Sequence, residues 1–109
     1  MITRAKSRYV LVESSGSVNV TDASFSNALL DSIRGEIGSL EYAKAGIRIV
    51  SGLGDRFFVI KVNRGYENGV MIALSFVKNM QGRKIGFYTL KTSGAIKKLV
   101  LFFNGLGVS

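Results

Sequence analysis

The chain has 109 residues, and 15 Lys and Arg against 7 Asp and Glu give it a formal net charge of +8. It contains no His and no Cys, which removes imidazole and thiol catalysis, disulfides, zinc fingers and iron–sulfur clusters. Apolar residues make up 47% of the sequence and the mean hydropathy is +0.26, the balance of a folded chain with room for one domain, here residues 1–109.

Residues 1–7 read as a short basic arm. Arg8–Glu13 is rich in Val, Leu and Tyr and predicts a strand, broken by Ser14-Ser15-Gly16-Ser17. A helix is expected from Asp22 or Ser24, either of which can cap it. Phe25, Leu29, Ile33 and Ile37 recur every four residues, with Ala28, Leu30 and Leu40 widening the stripe. Gly35 and Gly38 predict a break, then a short helical piece over Ser39–Ala45 ended by Gly46. Ile47–Ser51 and Arg56–Asn63 read as a hairpin around Gly52-Leu53-Gly54-Asp55. Tyr66–Met80 carries a helical stripe of Val70, Leu74 and Val77 flanked by Ala73, Phe76 and Met80, ended by Gln81-Gly82. Arg83–Thr92 predicts a strand, and Ser93 can cap a last helix from Gly94 to about Phe103 (residues 93–109 forming the C-terminal helix and tail).

That order is β-α-β-β-α-β plus a C-terminal helix, an α+β, ferredoxin-like (RRM-like) sandwich. Two helices should cover one face of a mainly antiparallel sheet, leaving the other face open unless an extra element covers it. The segment Leu99-Val100-Leu101-Phe102-Phe103 is apolar all round. Either the last helix is wedged between two layers, or one side docks onto a partner.

Few constellations carry chemistry. The acids are Glu13, Asp22, Asp31, Glu36, Glu41, Asp55 and Glu67, and no two form a tight pair on one predicted face, so catalytic and metal-ligating residues are expected to be absent. Gly52-x-Gly54 lacks a GK[ST] ending and leads into a strand, which makes it a hairpin turn and not a phosphate loop. The cations fall into groups: Arg4, Lys6 and Arg8 before the first strand, Lys61 and Arg64 at the end of the third, Arg83, Lys84 and Lys91 around the fourth, and Lys97 and Lys98 opening the last helix. Two readings are open, a scattered solubilising surface and a phosphate-binding one. The acids do not interleave with these groups, which favours the second. Phe57 either is the ring exposed on an open sheet face or packs under the C-terminal helix; Arg56–Val62 does not fit the RNP pattern, so base stacking there is not expected. The apolar runs Tyr9–Val12 and Leu99–Phe103 are too short for a signal peptide core or a membrane span, and a soluble, cytoplasmic protein with no membrane partner is expected.

Four segments carry a resemblance. Arg8-Tyr9-Val10-Leu11-Val12 looks like the opening strand of the ribonuclease P protein component two family, the small archaeal and eukaryotic subunit of a tRNA-processing ribonucleoprotein. Arg48–Arg64, with its ending Val62-x-Arg64, is similar to that family's hairpin. Val70–Met80 followed by Gly82 matches its second helix. Ser93-Gly94-Ala95-Ile96-Lys97-Lys98 resembles its Ser-Gly-Thr-Ile-Lys-Lys signature, with Ala95 in place of Thr and so one hydroxyl fewer.

The resemblance implies a ferredoxin-like subunit without its own active site, working with an RNA that cuts the 5′ leader from precursor tRNA. Magnesium would serve that RNA, and the protein itself would bind no cofactor. Its partners would be the ribonuclease P RNA, precursor tRNA and the larger, barrel-shaped protein component three, in a homodimer or heterotetramer. The cation groups and the resemblance together mark Arg8, Lys61, Arg64, Lys84, Lys91, Ser93, Gly94, Lys97 and Lys98 as RNA-binding candidates. Leu99, Leu101, Phe102 and Phe103 are the candidates for a protein interface. The competing readings are a ferredoxin-like regulatory or small-ligand domain that dimerises through its sheet, and a metal-dependent nuclease acting alone.

Overall fold

Alternate residues of a strand point to opposite faces, so a strand buried on both faces reads as a continuous apolar run. Val10-Leu11-Val12 and Phe57-Phe58-Val59-Ile60 are such runs, and all seven are buried. A computed structural model, describing residues 6–106, shows why. The elements run β1 (Ser7–Ser14), α1 (Ala23–Ile37), α2 (Ser39–Ala45), β2 (Arg48–Leu53), β3 (Phe57–Asn63), α3 (Glu67–Phe76), β4 (Asn79–Met80), β5 (Arg83–Lys84), β6 (Phe87–Ser93) and α4 (Ile96–Gly105). Four strands form one sheet in the order β2-β3-β1-β6, with every neighbour antiparallel. This is the ferredoxin-like arrangement, with α4 added. No helix among the described residues is long and apolar enough to cross a membrane. Of the N-terminal arm, residues 1–5 lie outside the described residues, and Ser7 already pairs with Asn63.

The first face holds the main core. Val10, Val12, Phe58, Ile60 and Val62 meet Phe25, Leu29 and Ile33 of α1 and Val70, Ala73 and Leu74 of α3. Phe25, Phe58 and Phe87 pack ring against ring at 5.9–6.4 Å between centroids, edge-on or tilted as the ring quadrupoles favour. Asp22 caps α1 by accepting the Ser24 N–H at 2.9 Å. The helix breaks at Gly38, and Gly46 ends α2 in the left-handed region at φ 57°. A Cβ at Gly46 would also lie 2.7 Å from the Asn63 amide nitrogen, which donates to the Lys44 carbonyl at 2.9 Å. Conformation and space both require glycine there.

Two element boundaries depart most from the sequence reading, and the last helix starts at Ile96 behind Ala95, not at Gly94 behind a Ser93 cap. The second long helix stops at Phe76, and residues 79–84 turn back as the β4–β5 hairpin. Gln81 and Gly82 have φ of 53° and 80°, the paired left-handed residues that close a tight hairpin. Val77 and Met80 extended the helical stripe because they are buried, but they reach the core from extended chain. The last strand starts at Phe87 and not at Arg83. Gly86 leaves the ladder to exchange bonds with Ser15, its N–H donating to the Ser15 hydroxyl and its carbonyl accepting the Ser15 N–H, both at 2.9 Å.

Helix α4 lies on the second face, packed against the sheet on one side and open on the other, so no second layer wedges it. Leu99 is fully buried with Leu11, Phe57 and Val59, and Tyr9, Leu53, Ile96, Phe102 and Phe103 border them. Phe103 meets Phe57 edge-on at 5.1 Å, so Phe57 is covered and not an exposed stacking ring. One of the interface candidates is corrected accordingly. Leu99 is core, and Phe102 and Phe103 are half-buried against the sheet because the helix lies flat on Leu11 and Val59. Leu101 alone of the four points outward, 70% exposed.

Candidate nucleic-acid interface

On the second face, ladder partners stand side by side and point the same way. One row crosses all four strands: Arg48 opposite Lys61, Lys61 opposite Tyr9, Tyr9 opposite Ser93. The next row is Ser51, Val59, Leu11 and Lys91, whose central apolar pair, Val59 and Leu11, is roofed by α4. The basic row therefore sits just outside the roof, at the end of the sheet where α4 begins. Lys91 is exposed beside α4, its ammonium 4.9 Å from the Phe102 ring.

Around the end of this row the chain builds a cleft of about 430 Å³ lined by Lys6, Ser7, Arg8, Tyr9, Arg64 and Gly94. Its walls are fixed by local bonds. The Arg64 N–H donates to the Lys6 carbonyl at 2.6 Å. Glu67 accepts the Gly65 N–H at 2.7 Å and pairs with Arg8 at 3.3 Å, which holds the guanidinium over Gly94. A Cβ at Gly94 would lie 3.5 Å from the Arg8 Nη1, in ordinary contact, which places the guanidinium directly against this turn. The Ser93 hydroxyl accepts the Ala95 N–H at 3.1 Å and turns the chain into α4.

The start of α4 is electrostatically unusual. Ala95 occupies the N-cap position in extended conformation with no side-chain cap, and no acid stands in the first turn. Lys97 and Lys98 stand there instead, both exposed. Cations are disfavoured at the positive end of a helix, where the unpaired N–H groups attract anions. Among the described residues, ion pairs join only Arg8 to Glu67 and Arg34 to Asp31, so Lys61, Arg64, Lys97 and Lys98 have no carboxylate partner there. The arrangement suits an incoming polyanion.

The fold thus gathers Arg8, Lys61, Arg64, Ser93, Gly94, Lys97 and Lys98 at one end of the sheet. Lys84 is left out: it stands on β5 beside Ser15, beyond the far end of β1. Arg4 lies outside the described residues. Arg48 was missed because only the β2–β3 register, with its shift between Ile49 and Ser51, sets it opposite Lys61. No group of three His, Cys, Asp or Glu side chains converges as metal ligands among the described residues. Helix α4 occupies the sheet face through which a dimerising regulatory domain would pair.

A sequence profile described as the Rpp14/Pop5 family matches residues 8–104. The chain belongs to that family. The Rpp14/Pop5 match spans all four segments that carried the resemblance. A protein named Ribonuclease P protein component 2, from Methanocorpusculum labreanum, is 31% identical over 96 residues, covering 88% of this chain and 65% of that protein. The chain therefore spans less than two thirds of that relative. A chain in the cryo-EM structure of yeast ribonuclease MRP superposes with a TM-score of 0.66 at 10% identity, covering 96% of both chains. At that identity the likeness speaks for a shared fold.

Proposed function

We propose that this chain is an RNA-binding protein subunit of ribonuclease P, supporting RNA-catalysed removal of the 5′ leader from precursor tRNA. The observation that carries the reading is the uncompensated basic end of the sheet, where Lys97 and Lys98 oppose their own helix and Arg48, Lys61 and Arg64 flank the cleft. Its support in kinship is the relative named Ribonuclease P protein component 2. A folded RNA crowds phosphates together, and a +8 protein offsets their repulsion where it docks. Catalysis and its magnesium belong to the RNA in this reading, and the protein works in the cytoplasm. Reconstitution tests it: ribonuclease P RNA should process precursor tRNA at lower magnesium with the protein than without. An unchanged magnesium requirement with every protein partner present sinks the reading.

The outward side of α4 fits the expected protein partner, the larger barrel-shaped component three. Ile96, Val100 and Leu101 line a shallow apolar groove of about 330 Å³ with Lys97 at its edge. Leu101→Glu should leave the fold intact and weaken association with that subunit, read by size exclusion and circular dichroism. Wild-type association in a folded Leu101→Glu variant places the interface elsewhere.

A further inference from the structure

The basic end of the sheet leaves a second cleft unused. At the opposite end, roughly 25 Å along β1 by strand rise, lies a cleft of about 410 Å³ between the end of α3, β5 and the start of β6. Lys78 and Lys84 line it with Ser15, Ser75, Gly86 and Tyr88. The volume falls in the usual range of small-ligand pockets, roughly 300–1,000 Å³. Tyr88 is 58% exposed, and its hydroxyl lies 3.6 Å from where a Cβ on Gly86 would stand.

The cleft is held open by its surroundings. The Ser15–Gly86 bonds fix its floor. Gln81 donates to the Ser24 hydroxyl at 3.0 Å, tying the hairpin to α1. Arg83 donates to the Ser17 carbonyl, which turns that guanidinium away and leaves Lys84 as the hairpin's cation in the cleft. An exposed ring and two lysines lining one cleft have a specific chemical complement. A ring stacks on a base only if that base has left its own helix, and ammonium groups bind the phosphates on either side. Hydroxyls and a glycine backbone leave the base identity unspecified.

We propose that this cleft is a site for one unpaired nucleotide of RNA, with Tyr88 as its stacking platform and Lys78 and Lys84 as its phosphate contacts. The inference rests on the RNA-binding reading and adds to it a second, separate contact, so that one small domain touches RNA at both ends of its sheet. The basic end suits packed phosphates of folded RNA; the Tyr88 end suits a single strand.

The sequence contains no Trp, so Tyr88→Trp in the full chain gives one fluorophore at the site. A single-stranded oligoadenylate of about eight nucleotides should quench the indole with saturation, and a blunt RNA duplex should leave it unchanged. Tyr88→Ala should weaken oligoadenylate binding about 5- to 100-fold, Tyr88→Phe should retain it, and neither should alter duplex binding. Removing Lys78 and Lys84 should reduce the slope of log affinity against log salt by about 0.7 per lysine for the single strand. If oligoadenylate binds by anisotropy while the indole stays unquenched and Tyr88→Ala binds like wild type, this site is overturned and the RNA-binding reading stands. If the wild-type protein binds neither RNA, both are overturned.

Discussion

The two faces of the sheet use the same strands to opposite ends. The first face packs Val10, Val12, Phe58, Ile60 and Val62 under two helices, and its core extends through the β4–β5 hairpin to Met80 and Ile85. The second face offers only Leu11, Phe57, Val59 and Leu99 fully to burial, under one helix of ten residues. Stability scales with buried apolar area, so folding is driven mainly from the first face. The second can then carry features that work against folding: Lys97 and Lys98 at the wrong helix end, an uncapped N-terminus, and a half-exposed roof. A protein can keep such features at a site where they meet a partner.

Substitutions can break this contrast. The largest effect belongs to Phe58, fully buried and in contact with both Phe25 and Phe87. Phe58→Ala should lower unfolding free energy by about 3–5 kcal/mol, measured by denaturant titration. Leu74→Ala and Ile60→Ala, fully buried in the same cluster, should each fall within about 2–5 kcal/mol. Leu99→Ala should cost about 2 kcal/mol, the low end of that range, because a short terminal helix can lift and let the site collapse. Hydrogen exchange sharpens the distinction: in Leu99→Ala the α4 amides should lose protection while those of β1 and β3 keep theirs. Equal global losses from Phe58→Ala and Leu99→Ala would mean that the two faces fold as one unit of equal weight.

The same contrast decides what was readable in the sequence. Phe25, Leu29 and Ile33 recur at helical spacing because their partner surface is the flat inner face of a sheet, and the pattern reports it directly. Gly38 and Gly46 mark their turns because only glycine relieves a left-handed backbone. Residues 77–80 read as helix because burial of Val77 and Met80 continues a helical stripe by accident of the hairpin's path. The site was half legible. Clusters close in sequence, such as Lys97 with Lys98, survive into the fold. Arg48 beside Lys61, and Lys78 beside Tyr88, depend on strand register and hairpin placement, which no local pattern encodes.

A smaller gain should come from restoring the missing cap. Ala95 holds the extended N-cap conformation, φ −137° and ψ 128°, with no side chain to accept a helix N–H. Ala95→Thr supplies a hydroxyl at that position and should raise stability by about 1 kcal/mol, with the gain confined to α4 in hydrogen exchange. A change of zero there would show that water or a neighbouring group already satisfies those N–H groups.

The smallest stability effect carries the sharpest sign. Lys97→Ala with Lys98→Ala removes two exposed cations from the positive end of α4. Each removal should stabilise the helix by about 0.3–1 kcal/mol at low ionic strength, fading as salt screens the interaction. RNA binding should move the other way. Losing two phosphate contacts should shrink the slope of log affinity against log salt by roughly 1.4–1.8. A scattered solubilising surface gives no such opposition, since lysines that merely keep a helix soluble leave the salt slope unchanged. Folding that improves while binding worsens, in one double variant, is the signature of charge kept for an anionic partner and against the interest of its own helix.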